Sequence, residues 1–252
     1  MKRFIEFSEI PKNAVLLDAR AKADYLAGHL VGARHGEFLE KFIIRNPEQL
    51  EFFNLKLEAW IRALGLEVNQ QIVLYDAGRD TRAARAAWAL EYAGFTVQVL
   101  RQGIAGSLET TVVEPMPSQF VLLPNRALLA TAEDILSGKA LVLDARDHLE
   151  FAGQKIPPGA PRGGHIPKAL HLDWQELTDL DGIQSQDKID AVLGQIPQNR
   201  EIIVHCQSGA RSSVLFLALR ERGYKVSNYL GSMNEWLNDP SLPVDHFGGR
   251  VF

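Results

Sequence analysis

The chain holds a single cysteine, Cys206, among its 252 residues. One thiol excludes an intramolecular disulfide, and a cysteine-based zinc cluster would need more of them. The seven histidines (His29, His35, His148, His165, His171, His205 and His246) never fall at metal-ligand spacing with carboxylates, so no metal is expected. A surplus of either charge is also lacking, with 27 basic residues against 31 acidic ones and a net charge of −4. That balance offers no electrostatic footprint for nucleic acid or an anionic membrane surface. No run of about 18 apolar residues occurs, so no membrane span is expected. The opening "MKRFIEFSEIPKNAVLLDAR" has no apolar stretch before a small-residue cleavage site and enters patterned structure almost at once. A reducing cytoplasm is the expected compartment, and no motif calls for a cofactor.

What is present is a repeat. "VLLDAR" at 15–20 returns as "LVLDAR" at 141–146, and "AGHLVGA" at 27–33 returns as "GGHIPKA" at 163–169. "QIVLYD" at 71–76 matches "EIIVHC" at 201–206, and "YAGFTVQVL" at 92–100 matches "ERGYKVSNYL" at 221–230. The glycine of "RQG" likewise matches that of "LGS". Matches in the same order with slowly drifting offsets identify a tandem duplication. The drift places an insertion around "GQKIPPGAPRG" at 153–163, whose Pro and Gly content marks a loop. Pro115, Pro117 and Pro124 discourage regular structure between the copies. The domain reading is therefore 1–112, a linker at 113–126, and 127–252.

Each copy reads as strand, helix, strand, helix. "AVLLDA", "QIVLYD", "ALVLDA" and "EIIVHC" are short apolar runs of the kind that is buried on both faces of a sheet. "TRAARAAWALEYAG" and "ARSSVLFLALRERG" are helical patterns closing on a glycine suited to the C′ position. Thr131 is placed to cap a helix that Gly138 stops. Strands alternating with helices predict an α/β fold in which each copy is a mostly parallel sheet flanked by helices on both faces. Sites in such sheets lie at the carboxyl ends of strands, where Cys206 stands.

The loop "CQSGAR" has the composition of an anion cradle. Ser208, Gly209 and Ala210 are small enough for successive backbone N–H groups to turn inward, and a helix starting near Arg211 or Ser212 adds its positive end. Such a setting lowers a thiol pKa, and the thiolate is the reactive form. Against this stands the ordinary fate of a lone cysteine, which is a buried apolar thiol. His205 invites a Cys–His pair, but neighbours on a strand point to opposite faces, so His205 reads as a packing residue.

Asp-Ala-Arg, then Gly-His-Ile-Pro, then a strand ending in Cys-x-x-Gly-x-Arg-Ser, then "YLGSMNEW", resembles the rhodanese superfamily of sulfurtransferases. The resemblance runs through both copies and is similar to two-domain thiosulfate and 3-mercaptopyruvate sulfurtransferases. It implies that Cys206 takes a sulfane sulfur as a persulfide and passes it to a thiophilic acceptor. Gln207, Ser208, Gly209, Ala210, Arg211 and Ser212 would cradle the donor, with Arg146 near the mouth of the cleft. Partners on this reading are a small sulfur donor and an external acceptor: a thiol, cyanide or a thioredoxin-like protein. With no second cysteine, the persulfide cannot be resolved internally.

The first copy carries Asp76 in place of Cys206, in a loop one residue longer, so it is expected to be catalytically silent, with Asp76 capping the next helix. Asp144-x-Arg146 and Asp18-x-Arg20 occur in both copies, which favours a structural pair, and the Gly-His turns of His29 and His165 follow the same logic. Met233 and Trp236 have core spacing. One departure from the two-domain enzymes is Glu150, four positions after Arg146, where the resemblance implies a donor-gripping arginine. A carboxylate there should oppose a dianion, and Arg162 is the candidate replacement cation. Two other readings remain open: a cysteine phosphatase or arsenate reductase, whose cradle is one residue longer before its arginine, and a sulfur-relay module without efficient small-molecule turnover.

Overall fold

The computed structural model describes residues 1–38 and 44–246. They fall into two compact units, one made of Met1–Glu40, Leu50–Arg126 and Thr178–Gln184, the other of Lys41–Gln49, Ala127–Leu177 and Ser185–Phe252. The short segment Thr178–Gln184 thus belongs with the first unit although its flanks belong with the second.

In the first unit the strands are β1 (Phe4–Ile5), β2 (Val15–Asp18), β3 (His29–Leu30), β4 (Arg34–His35), β5 (Ile72–Tyr75), β6 (Val97–Leu100) and β7 (Leu108–Glu109). Five of them form a parallel sheet in the order β1-β6-β5-β2-β4, and β3 pairs antiparallel with β7. The helices are α1 (Lys22–Ala27), α2 (Pro47–Ala63) and α3 (Arg82–Tyr92). Helix α3 is alanine-rich and buried from Ala83 to Tyr92. Alanine favours the helix and lets its backbone lie close to the sheet. Residues 110–125 carry neither helix nor strand.

The second unit repeats the plan. Its strands are β8 (Leu129–Ala130), β9 (Leu141–Asp144) and β10 (Leu170–His171), then β13 (Ile202–His205) and β14 (Val226–Tyr229). The intervening β11 (Thr178–Asp179) and β12 (Gly182–Ile183) form the hairpin that packs in the first unit. The sheet order β8-β14-β13-β9-β10 is again parallel throughout and matches the first strand for strand. Around it lie α4 (Ala132–Leu136), α5 (His148–Phe151), α6 (Gln186–Leu193), α7 (Ala210–Glu221) and α8 (Ser232–Trp236). Thr131 caps α4 in a reciprocal capping box with Asp134, and Gly138 after its end has φ of 68°.

Strand β13, "IIVH", is buried at every position, as a central parallel strand must be. Helix α7 is buried continuously from Ser212 to Leu219, the signature of a helix covered on most sides. Phe151, Ile203, Tyr229, Met233 and Trp236 join one core cluster. Each such side chain contributes about 2–3 kcal/mol on burial, so the turn from β13 into α7 is held between rigid elements.

Candidate active site

The sulfur sits where β13 stops. Beyond His205 the backbone leaves the sheet and is fastened to the start of α8. Cys206 N–H donates to Ser232 Oγ at 3.2 Å, and Met233 N–H donates to the Cys206 carbonyl at 3.1 Å. Asn234 N–H then donates to the Gln207 carbonyl at 2.9 Å, while the Gln207 side-chain amide donates to Asn234 Oδ1 at 2.6 Å. Gly209 turns the chain into α7 with φ of 84°, a left-handed conformation that favours glycine. A Cβ there would also stand 2.8 Å from Leu230 Cδ2. Ala210 begins α7, so Arg211 and Ser212 lie in its first turn.

Cys206 is 1% exposed. Gly209 N–H donates to its sulfur at 3.1 Å, and Ser212 Oγ lies 3.6 Å away. Burial works against ionisation of the thiol, but the charge of Arg211 and the backbone N–H groups of Ser212 and Ser208 outweigh it. The thiol is therefore more acidic than an ordinary cysteine. A buried cysteine surrounded by inward-turned donors is a nucleophile's setting, and an inert apolar thiol would show the opposite shift.

The structure brings Cys206, Gln207, Ser208, Gly209, Ala210, Arg211 and Ser212 into one turn, and it adds Glu150. The Glu150 carboxylate accepts from Arg211 Nη1 at 2.5 Å and from Nη2 at 3.0 Å. Lys155 Nζ is 3.9 Å from the same carboxylate and 2.7 Å from Asp147, whose other oxygen caps α5 through Glu150 N–H. Glu150 is thus the partner that holds the loop arginine.

Two sequence expectations are corrected by position. Arg146 does not line a cleft mouth: its side chain is fully buried. Nε and Nη2 are taken by Asp144, and Nη2 also donates to Gly164 O at 2.8 Å. The first copy repeats this, with Arg20 on Asp18 and on Gly28 O. Arg162 is no replacement cation either. It donates to the carbonyls of Trp236, Leu237, Asp239 and Leu242, so its fork is spent on closing the end of α8 and the chain beyond.

The histidines behave as packing groups. His165 stacks on Phe151 at 3.9 Å with Nδ1 on Phe151 O, and His29 stacks on Tyr25 at the same distance with Nδ1 on Tyr25 O. Fully buried His205 lies 3.7 Å from Asp144. Burial drives its pKa down to about 4, so it stays neutral at physiological pH. Met233 and Trp236 are fully buried, and the indole N–H donates to Pro243 O.

The first unit shows the same turn without its thiol. Asp76 Oδ1 accepts from Gly78 N–H and Oδ2 from Ala83 N–H, both at 2.9 Å, so the carboxylate fills its own cradle and caps α3. Burial raises its pKa to about 7.

Sequence reasoning missed Ser232, Asn234 and Asn228. The first two fasten the loop from α8, and only the fold brings that helix to it. Asn228 had a legible signal: it is polar on a buried strand where the first copy has Val99.

A parallel sheet repeated twice, with a cysteine cradle in one copy only, defines the class, and comparison with known proteins agrees. The rhodanese-like domain family matches residues 5–109 and again 129–239, and the chain belongs to that family. It is 31% identical to the 3-mercaptopyruvate sulfurtransferase of Escherichia coli over 248 residues, covering 90% of this chain and 87% of that one. It is equally 31% identical to the thiosulfate sulfurtransferase of Pseudomonas aeruginosa over 247 residues, covering 92% and 90%. Among solved structures, a probable thiosulfate sulfurtransferase superposes with a TM-score of 0.79 at 34% identity, covering 94% of this chain and 99% of the other.

Proposed function

We propose that the protein is a sulfurtransferase that carries a sulfane sulfur from a small donor to a thiophilic acceptor as a persulfide on Cys206. The observation that carries this reading is the acidified Cys206 sulfur, held by Gly209 N–H at the N-terminus of α7. The Cys206 thiolate attacks the outer sulfur of thiosulfate or of a persulfide, or the thiol sulfur of 3-mercaptopyruvate. A new S–S bond forms on Cys206, and the donor's old bond to that sulfur breaks, S–S in the first two and C–S in the last. Its electron pair leaves with sulfite, pyruvate enolate or thiolate. Inward N–H groups of the loop favour the negative charge as it moves. In the second half-reaction an acceptor thiol or cyanide attacks the terminal sulfur and restores the Cys206 thiolate. The chain has no other cysteine, so the acceptor comes from outside. The substrate contacts are assigned to Gln207, Ser208, Gly209, Ala210, Arg211 and Ser212.

Glu150 argues against a phosphatase reading, because it already occupies Arg211, the cation a phosphoryl group would need. Among the described residues no helix is long and apolar enough to cross a membrane, and a cytoplasmic setting suits a thiol that must stay reduced.

Intact-mass measurement after incubation with thiosulfate, 3-mercaptopyruvate and an alkyl persulfide tests the proposal. The wild type should gain the mass of one sulfur atom, and Cys206→Ser should gain none. Absence of an adduct from all three donors would sink it.

A further inference from the structure

Behind the cysteine loop lies a buried polar cluster that reaches the sulfur through Ser212. Ser212, Ser213 and Asn228 are each fully buried. Ser212 Oγ donates to Asn228 Oδ1 at 2.8 Å and also faces Cys206 Sγ at 3.6 Å. Asn228 Nδ2 donates to Gly209 O at 3.3 Å and to Ser213 Oγ at 3.1 Å, and the Ser213 hydroxyl donates to Gly209 O at 2.7 Å. These partners fix the amide: its NH2 meets two acceptors, so its oxygen must face Ser212. The one proton of the Ser212 hydroxyl therefore stands between two acceptors, the Asn228 oxygen and the sulfur.

The duplication supplies an internal comparison. In the first sheet Leu74 pairs with Val99, and in the second Val204 pairs with Asn228, so Val99 holds the position of Asn228. Along the helix, Arg82-Ala83-Ala84 stand where the second copy has Arg211-Ser212-Ser213. Ala83, Ala84 and Val99 are buried too. The same strand–helix contact thus packs with three apolar residues in the copy that lacks the cysteine. Buried polar groups cost desolvation and return little net stability, so packing alone gives no reason for the cluster in the second copy.

We propose that Ser212, Ser213 and Asn228 form a positioning relay for Cys206, which fixes the Gly209 peptide and presents the Ser212 hydroxyl to the sulfur as a second donor. The relay rests on the reading of Cys206 as the sulfur carrier. Asn228 ties both ends, accepting from Ser212 and donating to the Gly209 carbonyl. A bond to a thiolate is stronger than one to a neutral amide, so ionisation of Cys206 draws the Ser212 proton toward sulfur.

The test imports the first copy's residues as Ser212→Ala/Ser213→Ala/Asn228→Val, beside Ser212→Ala alone. Iodoacetamide alkylation of Cys206 is followed across pH, with melting temperature and persulfide loading from thiosulfate. The alkylation midpoint should rise by about one pH unit in both variants. Loading below that midpoint should slow about tenfold. The threefold variant should melt at or above the wild-type temperature. An unmoved midpoint in a folded variant overturns the relay. A threefold variant that does not fold also counts against it, since the first-copy residues would then not suffice for packing. Alkylation needs no sulfur donor. A wild type that takes no sulfur from any donor would defeat the proposed function, while the midpoints would still decide the relay.

Discussion

Arg211 and Glu150 form a two-pronged ion pair beside the cysteine loop, although 61 positions separate them in the chain. The arginine that acidifies Cys206 is thereby already engaged by a buried carboxylate. A donor anion that sought Arg211 would have to compete with Glu150.

Glu150→Gln should therefore free the guanidinium. We expect thiosulfate kcat/KM to rise about fivefold as the competing charge disappears. Urea denaturation should show a loss of about 1–2 kcal/mol, less than for a fully buried pair because Arg211 is partly solvated. Unchanged or lower kcat/KM would show that Glu150 does not compete with the donor. Glu150→Arg, which the sequence alone would suggest, instead sets two guanidinium groups against each other.

Gly209→Ala places a side chain on a backbone with φ of 84° and against Leu230. A stability loss of about 1–2 kcal/mol is expected, with slower alkylation of Cys206 as its Gly209 N–H turns away. Normal alkylation kinetics in this variant would show that the turn tolerates another conformation.

Asp76 should make the protein's stability depend on pH. Its pKa is about 7 when folded and near the ordinary aspartate value of 3.8 when unfolded, so between those values the folded state binds more protons. Stability therefore falls as pH rises through that window, and levels off above about 7. In Asp76→Asn this slope is absent: measured against wild type, the variant should gain stability from pH 4 to pH 7. Parallel stability curves for the two proteins would contradict the buried-acid account.

Arg162→Ala should cost about 2 kcal/mol, because buried carbonyls from Trp236 to Leu242 lose their donor. The KM for thiosulfate should stay within about twofold of wild type, the margin of uniform binding. A large rise in KM with intact stability would return Arg162 to the donor site.

Much of this was legible in the chain. Parallel strands announce themselves because burial on both faces forces continuous apolar runs, and the duplication let each copy check the other. Thr131 and Gly138 bounded α4 as their chemistry predicts, since caps and left-handed glycines act within a few residues. The cradle was legible for the same reason, as its donors and its cysteine are neighbours. Arg162 was misread because a charged residue in a loop looks alike whether it faces solvent or closes on backbone carbonyls, whereas the Asp144–Arg146 pair that the repeat favoured is present and leaves Arg146 no place at a cleft mouth. Nothing near them in sequence shows that Gly164 or Leu242 folds over to receive them.

By itself the sequence determined the duplicated parallel α/β plan, the position of Cys206 at a strand end, and the aspartate, Asp76, that stands at the matching place in the first copy. These depend on periodicity and on contacts within one turn. Tertiary structure alone decided that Glu150 holds Arg211, that α8 fastens the loop through Ser232 and Asn234, and that Asn228 stands behind Ser212. Each of those joins residues far apart along the chain, and their geometry exists only once the sheet has set its register and the helices have packed upon it.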